Sequence, residues 1–402
     1  MEKKNGFLKG ALFGALAMLL IVGCVSCAIG IAKKSGDKQA KTEETSSSDA
    51  VVSKGVKVKL DYLKALIDGY YIGDADEDVL EQGIYKGFID GLGDPYSVYY
   101  DEEETKTMNE STSGEYGGIG VVVSQERESG IITAIQVYEN SPAKEAGMKD
   151  GDILYKVEGK EVTGEDLTEV VSRIKGDEGT TVELTVLRGD SGEEVTFDIT
   201  RRKIEAQTVT YEMKENKTGY IRVTEFDTVT YEQYQKALSD LDAQGMKGLV
   251  VDLRSNPGGN LNTVCEMLDL MLPEGLVVYT EDKSGKKSEF TSDAEHQFTK
   301  PLAVLMNGYS ASASEIFAGA IQDYGIGKIV GTQSYGKGVV QQVFDLKDDT
   351  SVKITIAEYF TPNGRNIDGE GITPDVEIEY EADADHPEAD NQLDKALEIV
   401  KQ

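Results

Sequence analysis

The stretch "GLVVDLRSNPGGNLNTVCEMLDLML", from Gly248 to Leu272, changes character twice. An almost wholly apolar run comes first, then a loop of Ser, Asn, Pro and Gly, then apolar residues at helical spacing. A short apolar run bounded by turn residues suits a strand buried on both faces, so the stretch predicts a strand, a glycine loop and a helix. The alternation extends outward on both sides. "GYIRV" and "YEQYQKALSDLDAQG" precede it, and "PLAVLMN", "SEIFAGAIQDYG" and "KIVGT" follow. Residues 204–379 are therefore expected to form an α/β core with a mostly parallel sheet. Ligands of such sheets meet the carboxyl ends of the strands, and two loops fall there, "RSNPGGN" and "NGYSASAS".

The 402 residues exceed one ordinary core and predict two or three domains, giving an α/β multidomain chain. A formal charge of −32 repels nucleic acid and anionic lipid headgroups, which excludes nucleic acid as a partner. Of the three cysteines, Cys24 and Cys27 lie in an N-terminal apolar stretch and Cys265 on the helix pattern above, so no disulfide framework is expected. Without a CxxC pair or a histidine cluster at ligand spacing, neither a metal site nor a cofactor is implied.

Residues 1–9 carry Lys3, Lys4 and Lys9, and the uncharged run "GALFGALAMLLIVGCVSCAIGIA" at 10–32 is long enough to cross a bilayer as a helix. A single-pass anchor with a cytoplasmic N-terminus is expected, with the remaining chain extracytoplasmic. The alternative is a cleaved signal peptide or a lipoprotein lipidated at Cys24, since "IVGC" resembles the box cut before such a cysteine. Residues 33–54 are small, polar and charged and read as a flexible linker. Residues 55–113 carry apolar residues at helical spacing, broken at "IGDAD" and "GLGDP". The tyrosines there, Tyr70, Tyr71, Tyr96, Tyr99 and Tyr100, are expected to pack on a neighbouring domain or on a second subunit of a homo-oligomer.

From 114 to 203 the pattern becomes short strands and glycine turns. This segment resembles a PDZ domain, most specifically through "SPAKEAGMKDGDILYKVEGKEV". The resemblance implies a β-rich domain that binds peptide ends. Backbone N–H groups of Gly118, Ile119, Gly120 and Val121 would receive a terminal carboxylate while the next strand takes the peptide as an added strand. A plain turn before a strand is the alternative.

"NGYSASASEI" places Ser310, Ser312 and Ser314 on alternate positions at the start of a helix pattern. Ser312 with Glu315 fits the capping box, which explains a serine without any chemistry. A nucleophilic serine needs a base, and His296 and His386 both lie in polar, poorly placed stretches. A lysine can serve if it is neutral when it acts, and an ordinary lysine has a pKa of about 10.4. Burial must lower it against the acidity of the chain, which favours Lys337 on the glycine-flanked turn "SYGKGVVQQVF" over lysines on exposed faces.

The set "VVDLRSNPGG", "NGYSASASEI", "GTQSYGKGVVQQV" and "FTPNGRNIDGEGITPDV", in that order behind a PDZ-like segment, resembles the C-terminal processing peptidases, or tail-specific proteases. The resemblance covers nearly the whole chain beyond the linker. It implies Ser312 as nucleophile, Lys337 as general base and Gln341 as the residue orienting it, with an oxyanion hole from the N–H groups of Gly258 and Ala313. It also implies polypeptide substrates with free apolar C-termini. Asp323 recurs in the family's motif but would lie about 16 Å along a helix from Ser312, so a supporting role is expected. Residues 380–402 form an acidic tail and helix. Two other classes stay open: a silent PDZ adaptor, which would have lost the Ser-Lys pair, and a histidine-dependent PDZ protease, which would need a motif such as GNSGG.

Overall fold

The computed structural model describes residues 53–189, 191–293, 295–382, 386 and 389–401. The chain divides into two compact units, 1–75 and 76–402. The expected anchor at 10–32 and all of the linker before Ser53 lie outside the described residues, among which no helix is long and apolar enough to cross a membrane. In the first unit Ser53 opens the helix Lys54–Tyr70, its hydroxyl accepting from Val56 N at 3.3 Å.

In the second unit a six-stranded sheet runs in the order Val209–Lys214, Thr218–Val223, Gly248–Asp252, Leu302–Met306, Lys328–Gly331 and Val376–Glu377. Its first pair is antiparallel and the others are parallel. Successive residues of the central strands feed opposite faces. Leu249 and Val251 join a core with Val304, Phe317 and Met267, whereas Val250 packs with Ala303, Leu305, Ala396 and Val400. The helices Thr230–Ala243, Leu261–Asp269 and Ala313–Tyr324 cover the first face, and Asn391–Val400 covers the second. Arg254, just past the central strand, pairs with Asp252 at 2.6 Å and Asp390 at 2.7 Å, tying the C-terminal helix to the sheet.

A second sheet of five strands corrects the expectation of a mostly parallel core. Ser351–Phe360 pairs with Val98–Tyr100, Gly275–Asp282 and Val339–Asp345, and Gly275–Asp282 with Lys287–Ser292, all antiparallel. Over both sheets antiparallel pairings outnumber parallel ones. The strand Val98–Tyr100 also shows that 55–113 is not wholly helical: between the helices Glu77–Asp90 and Glu102–Ser113 the chain lends an edge to this sheet.

The β-rich domain has strands in the order Val121–Gln125, Ile132–Val137, Ile153–Val157, Thr181–Arg188 and Glu193–Thr200, around a core that includes Leu154, Val170, Leu184 and Ile199. Val121–Gln125 pairs on one side only, leaving an open edge among the described residues. Beside it lies the helix Leu167–Ile174.

Candidate active site

The three alternating serines divide by what their hydroxyls touch. Ser310 Oγ donates to Leu253 O at 2.8 Å and accepts from Asn307 N at 2.9 Å, and Ser314 Oγ donates to Asn256 O at 3.0 Å. Both are fully buried and stitch the loop after Gly248–Asp252 to the loop after Leu302–Met306. Ser312 instead lines an open cleft of about 1290 Å³, together with Ala313, Gly258, Lys337, Gln341 and Tyr359. Its backbone sits at φ 55°, ψ −114°, away from the extended conformation usual at a helix N-cap. Such strain concentrates where a side chain must be held in a particular direction.

Glu315, fully buried, fixes this geometry. Its carboxylate accepts from Ser312 N at 2.8 Å, Lys337 N at 2.9 Å, Gly336 N at 2.7 Å and the Ser334 hydroxyl at 2.5 Å. The capping-box glutamate thus clamps the segment carrying Lys337 to the start of the helix carrying Ser312. Burial raises its pKa, and these four donors oppose the rise. The Tyr359 hydroxyl bridges the same segments, lying 3.1 Å from Ser312 O and also against Lys337 O.

Lys337 has its pKa lowered, first by desolvation and then by the nearby Lys353 cation, against the opposing pull of Asp94 and Glu315. This is the bias a lysine base needs. Its Nζ lies over the Tyr96 ring, 4.6 Å from the centroid, and among the described residues no hydrogen bond joins it to Ser312 or Gln341. Gln341 Nε2 donates to Thr355 Oγ1 at 3.2 Å. The three residues share one cleft without being hydrogen-bonded to one another. Tyr96, expected to be a packing group, is a direct neighbour of Lys337, as a resident of the "GLGDPYS" turn.

Of the two backbone donors expected for an oxyanion hole, Ala313 N has no partner among the described residues. Gly258 N donates to Asn256 Oδ1 at 2.8 Å, so the hole has one free donor of the expected two in this arrangement. Gly258 itself is required by proximity: at φ 106°, an added Cβ would lie 2.8 Å from Ser312 Cβ and from Ala311 O. Glu225 and Asp227, two apart on one extended segment, also line the cleft, and burial beside Glu225 pushes the Asp227 carboxyl up to about 7.

Gly118, Ile119, Gly120 and Val121 line a separate apolar groove between Val121–Gln125 and Leu167–Ile174, with Val123, Leu154 and Val171 in its wall. Gly120 stands at φ 77°, where an added Cβ would meet Ser141 Cβ at 2.5 Å. Lys175 at the groove pairs with Glu110 at 3.2 Å. His296 is exposed and not among the residues lining the cleft. Cys265 is held protonated, burial and Glu266 pushing its thiol up to about 12. Asp323 accepts from Arg365 at 2.5 Å and Asn363 N at 2.8 Å, supporting the turn at 363–365.

Comparison with known proteins adds family evidence. The model of peptidase family S41 matches residues 217–378, a PDZ domain model matches 133–188, and the model described as the activating protease CtpB N-terminal domain matches 13–105. The chain is similar to the carboxy-terminal processing proteases CtpA and CtpB of Bacillus subtilis. It is 37% identical to the first over 80% of this chain and 68% of that protein, and 32% identical to the second over 92% and 77%. A carboxy-terminal-processing protease of Bartonella bacilliformis is 36% identical over 77% of this chain and 72% of that protein.

Proposed function

Because this chain belongs to peptidase family S41 and is a serine protease carrying a PDZ domain, we propose that it cuts extracytoplasmic polypeptides at or near their C-terminal tails by a Ser-Lys mechanism. The observation that carries the reading is the meeting of Ser312, Lys337, Gly258 and Ala313, from three separate loops, in one cleft. Neutral Lys337 takes the Ser312 proton as Oγ attacks the scissile carbonyl. The resulting oxyanion meets Ala313 N–H, joined by Gly258 N–H when that proton is shared with Asn256, each donor contributing roughly 3 kcal/mol. The Lys337 ammonium then protonates the leaving amine, and a water deprotonated by Lys337 hydrolyses the acyl-Ser312 ester. For this cycle Lys337 Nζ must leave the face of Tyr96 and reach Ser312 Oγ, with Gln341 orienting it.

The open edge of Val121–Gln125 beside Gly118 to Val121 supports capture of a substrate tail by strand addition. Its terminal carboxylate would take the backbone donors, which tolerate many side chains but require the anion. The uncharged run at 10–32 supports retention at the membrane, which fractionation of full-length and 33–402 chains would test.

The decisive experiment gives the enzyme two unstructured polypeptides that differ only in a free or amidated C-terminus and maps the products by mass spectrometry. The free-ended chain is expected to lose C-terminal residues. With the full-length Ser312→Ala variant, the amidated chain should bind more weakly by about 1.5–3 kcal/mol, the worth of a charged hydrogen-bond partner. Equal binding and equal cleavage would contradict capture by the carboxylate, and absence of cleavage in both would contradict the substrate class.

A further inference from the structure

We propose that Thr355, held by the turn that carries Asp94 and Ser97, is a positioning residue that turns the carbonyl end of the Gln341 amide toward Lys337. The inference rests on the roles proposed above for Lys337 and Gln341, and begins with strand register. Val98–Tyr100 pairs with residues 351–353 of the long strand Ser351–Phe360, which lays the preceding turn, Asp94 to Ser97, beside Thr355. In the same strand Thr355 stands directly opposite Gln341, next to a register shift between Val340 and Gln341. Irregular pairing of this kind re-aims a side chain.

The hydrogen bonds give the polarity. Asp94 accepts from Tyr96 N at 3.0 Å and Ser97 Oγ at 2.5 Å. Ser97 Oγ in turn accepts from Thr355 N at 3.1 Å, so the turn holds Thr355 by its backbone. Burial works against the Asp94 anion, yet the Ser97 and Thr355 hydroxyls, Tyr96 N–H and the Lys337 charge together hold its carboxyl below the usual range. Gln341 Nε2 donates to the Thr355 hydroxyl oxygen at 3.2 Å, which leaves Oε1 for the lysine. Without the hydroxyl, the amide is free to rotate end for end and present NH₂ to Lys337, a donor facing a donor. The turn also reaches Lys337 directly, through the Tyr96 ring under its Nζ.

The test is a double-mutant cycle in the full chain, with kcat and KM measured on an unstructured peptide. Thr355→Val keeps the shape and removes the hydroxyl. It should lower kcat about tenfold, the same loss expected of Gln341→Ala, with KM within about twofold. Thr355→Ser should restore kcat, and the double variant should be no slower than Gln341→Ala alone. Asp94→Asn should lower kcat and move the alkaline limb of the pH profile to lower pH, since its carboxylate favours the Lys337 ammonium. Charged or titratable groups that face Lys337 or its neighbour Tyr96 include Lys353, Glu315, Tyr335, Tyr359 and Asp368. Wild-type kcat in Thr355→Val, or additive losses in the double variant, would overturn the proposal while leaving the Ser-Lys scheme standing. Wild-type rates in Ser312→Ala and Gln341→Ala would overturn the scheme itself.

Discussion

Ser312→Ala and Lys337→Ala are each expected to lower kcat/KM on an unstructured polypeptide by ~10⁴–10⁶-fold, and the double variant to be no worse than either. Nucleophile and base act as a unit, so removing one leaves the other without a task. The residual rate above background would come from the Ala313 and Gly258 donors and from substrate binding. Neither change should unfold the protein, because neither the Ser312 hydroxyl nor the Lys337 ammonium is part of the Glu315 clamp, which uses their backbone N–H groups. Lys337 also bears on stability. Its folded pKa is lowered, so the cost of holding the ammonium out of water is fully present below that pKa and is relieved as pH rises through it. At neutral pH, then, Lys337→Met should melt at a higher temperature than the wild type while being inactive. Additive losses in the double variant, or a full rate in either single one, would break the assignment.

Glu315→Ala should act chiefly on the fold. It strands Ser312 N, Lys337 N, Gly336 N and the Ser334 hydroxyl in a fully buried site, each having given up water for the carboxylate. Removing one member of such a buried charged network costs about 3–5 kcal/mol. For a core of this size that corresponds to a fall in melting temperature of roughly 10 °C, measurable by thermal unfolding followed by circular dichroism. Glu315→Gln keeps the shape but brings two N–H donors to a site built of donors, and should lie between alanine and the wild type. A melting temperature within about 2 °C of wild type for the alanine variant would mean that the clamp is incidental to stability.

The parts of this architecture that the sequence declares most openly are those buried on both faces. Gly248–Asp252 and Leu302–Met306 are wholly buried, and a strand that meets no water reads as an unbroken apolar run. The second sheet was not legible for the opposite reason. Val339–Asp345 grows steadily more exposed and Lys287–Ser292 is mostly exposed, so "VVQQVFD" and "KSEFTS" carry neither a clean alternation nor an apolar run. The candidate site divides along a similar line. Ser312, Lys337, Gly258 and Gln341 lie in motifs that point to chemistry through their resemblance to a family, and they line one cleft. What the chain could not declare is how each is held. The capping box explained Glu315 as a local helix device, whereas the carboxylate also reaches more than twenty residues on, to Gly336 and Lys337. Tyr96, more than two hundred residues before Lys337, reaches it only because three residues of edge strand pair with 351–353. Long-range register of that kind leaves no periodic trace, and neither does the diversion of Gly258 N–H onto Asn256.

The central claim is that a neutral Lys337 takes the proton of Ser312, and the pH dependence of kcat/KM tests it most directly, because that ratio titrates groups of the free enzyme. Measured from pH 5 to 10.5 on a peptide without titratable side chains, the rate should rise along an alkaline limb whose apparent pKa lies below the roughly 10.4 of a free lysine. Asp227, pushed up to about 7, faces the same cleft, so the profile is to be taken in Asp227→Asn as well, where the lysine limb should persist. A limb that survives in Asp227→Asn with an apparent pKa below that of a free lysine is the predicted result. A rate that is flat through that range, or whose only inflection disappears with His296→Ala, would contradict the account.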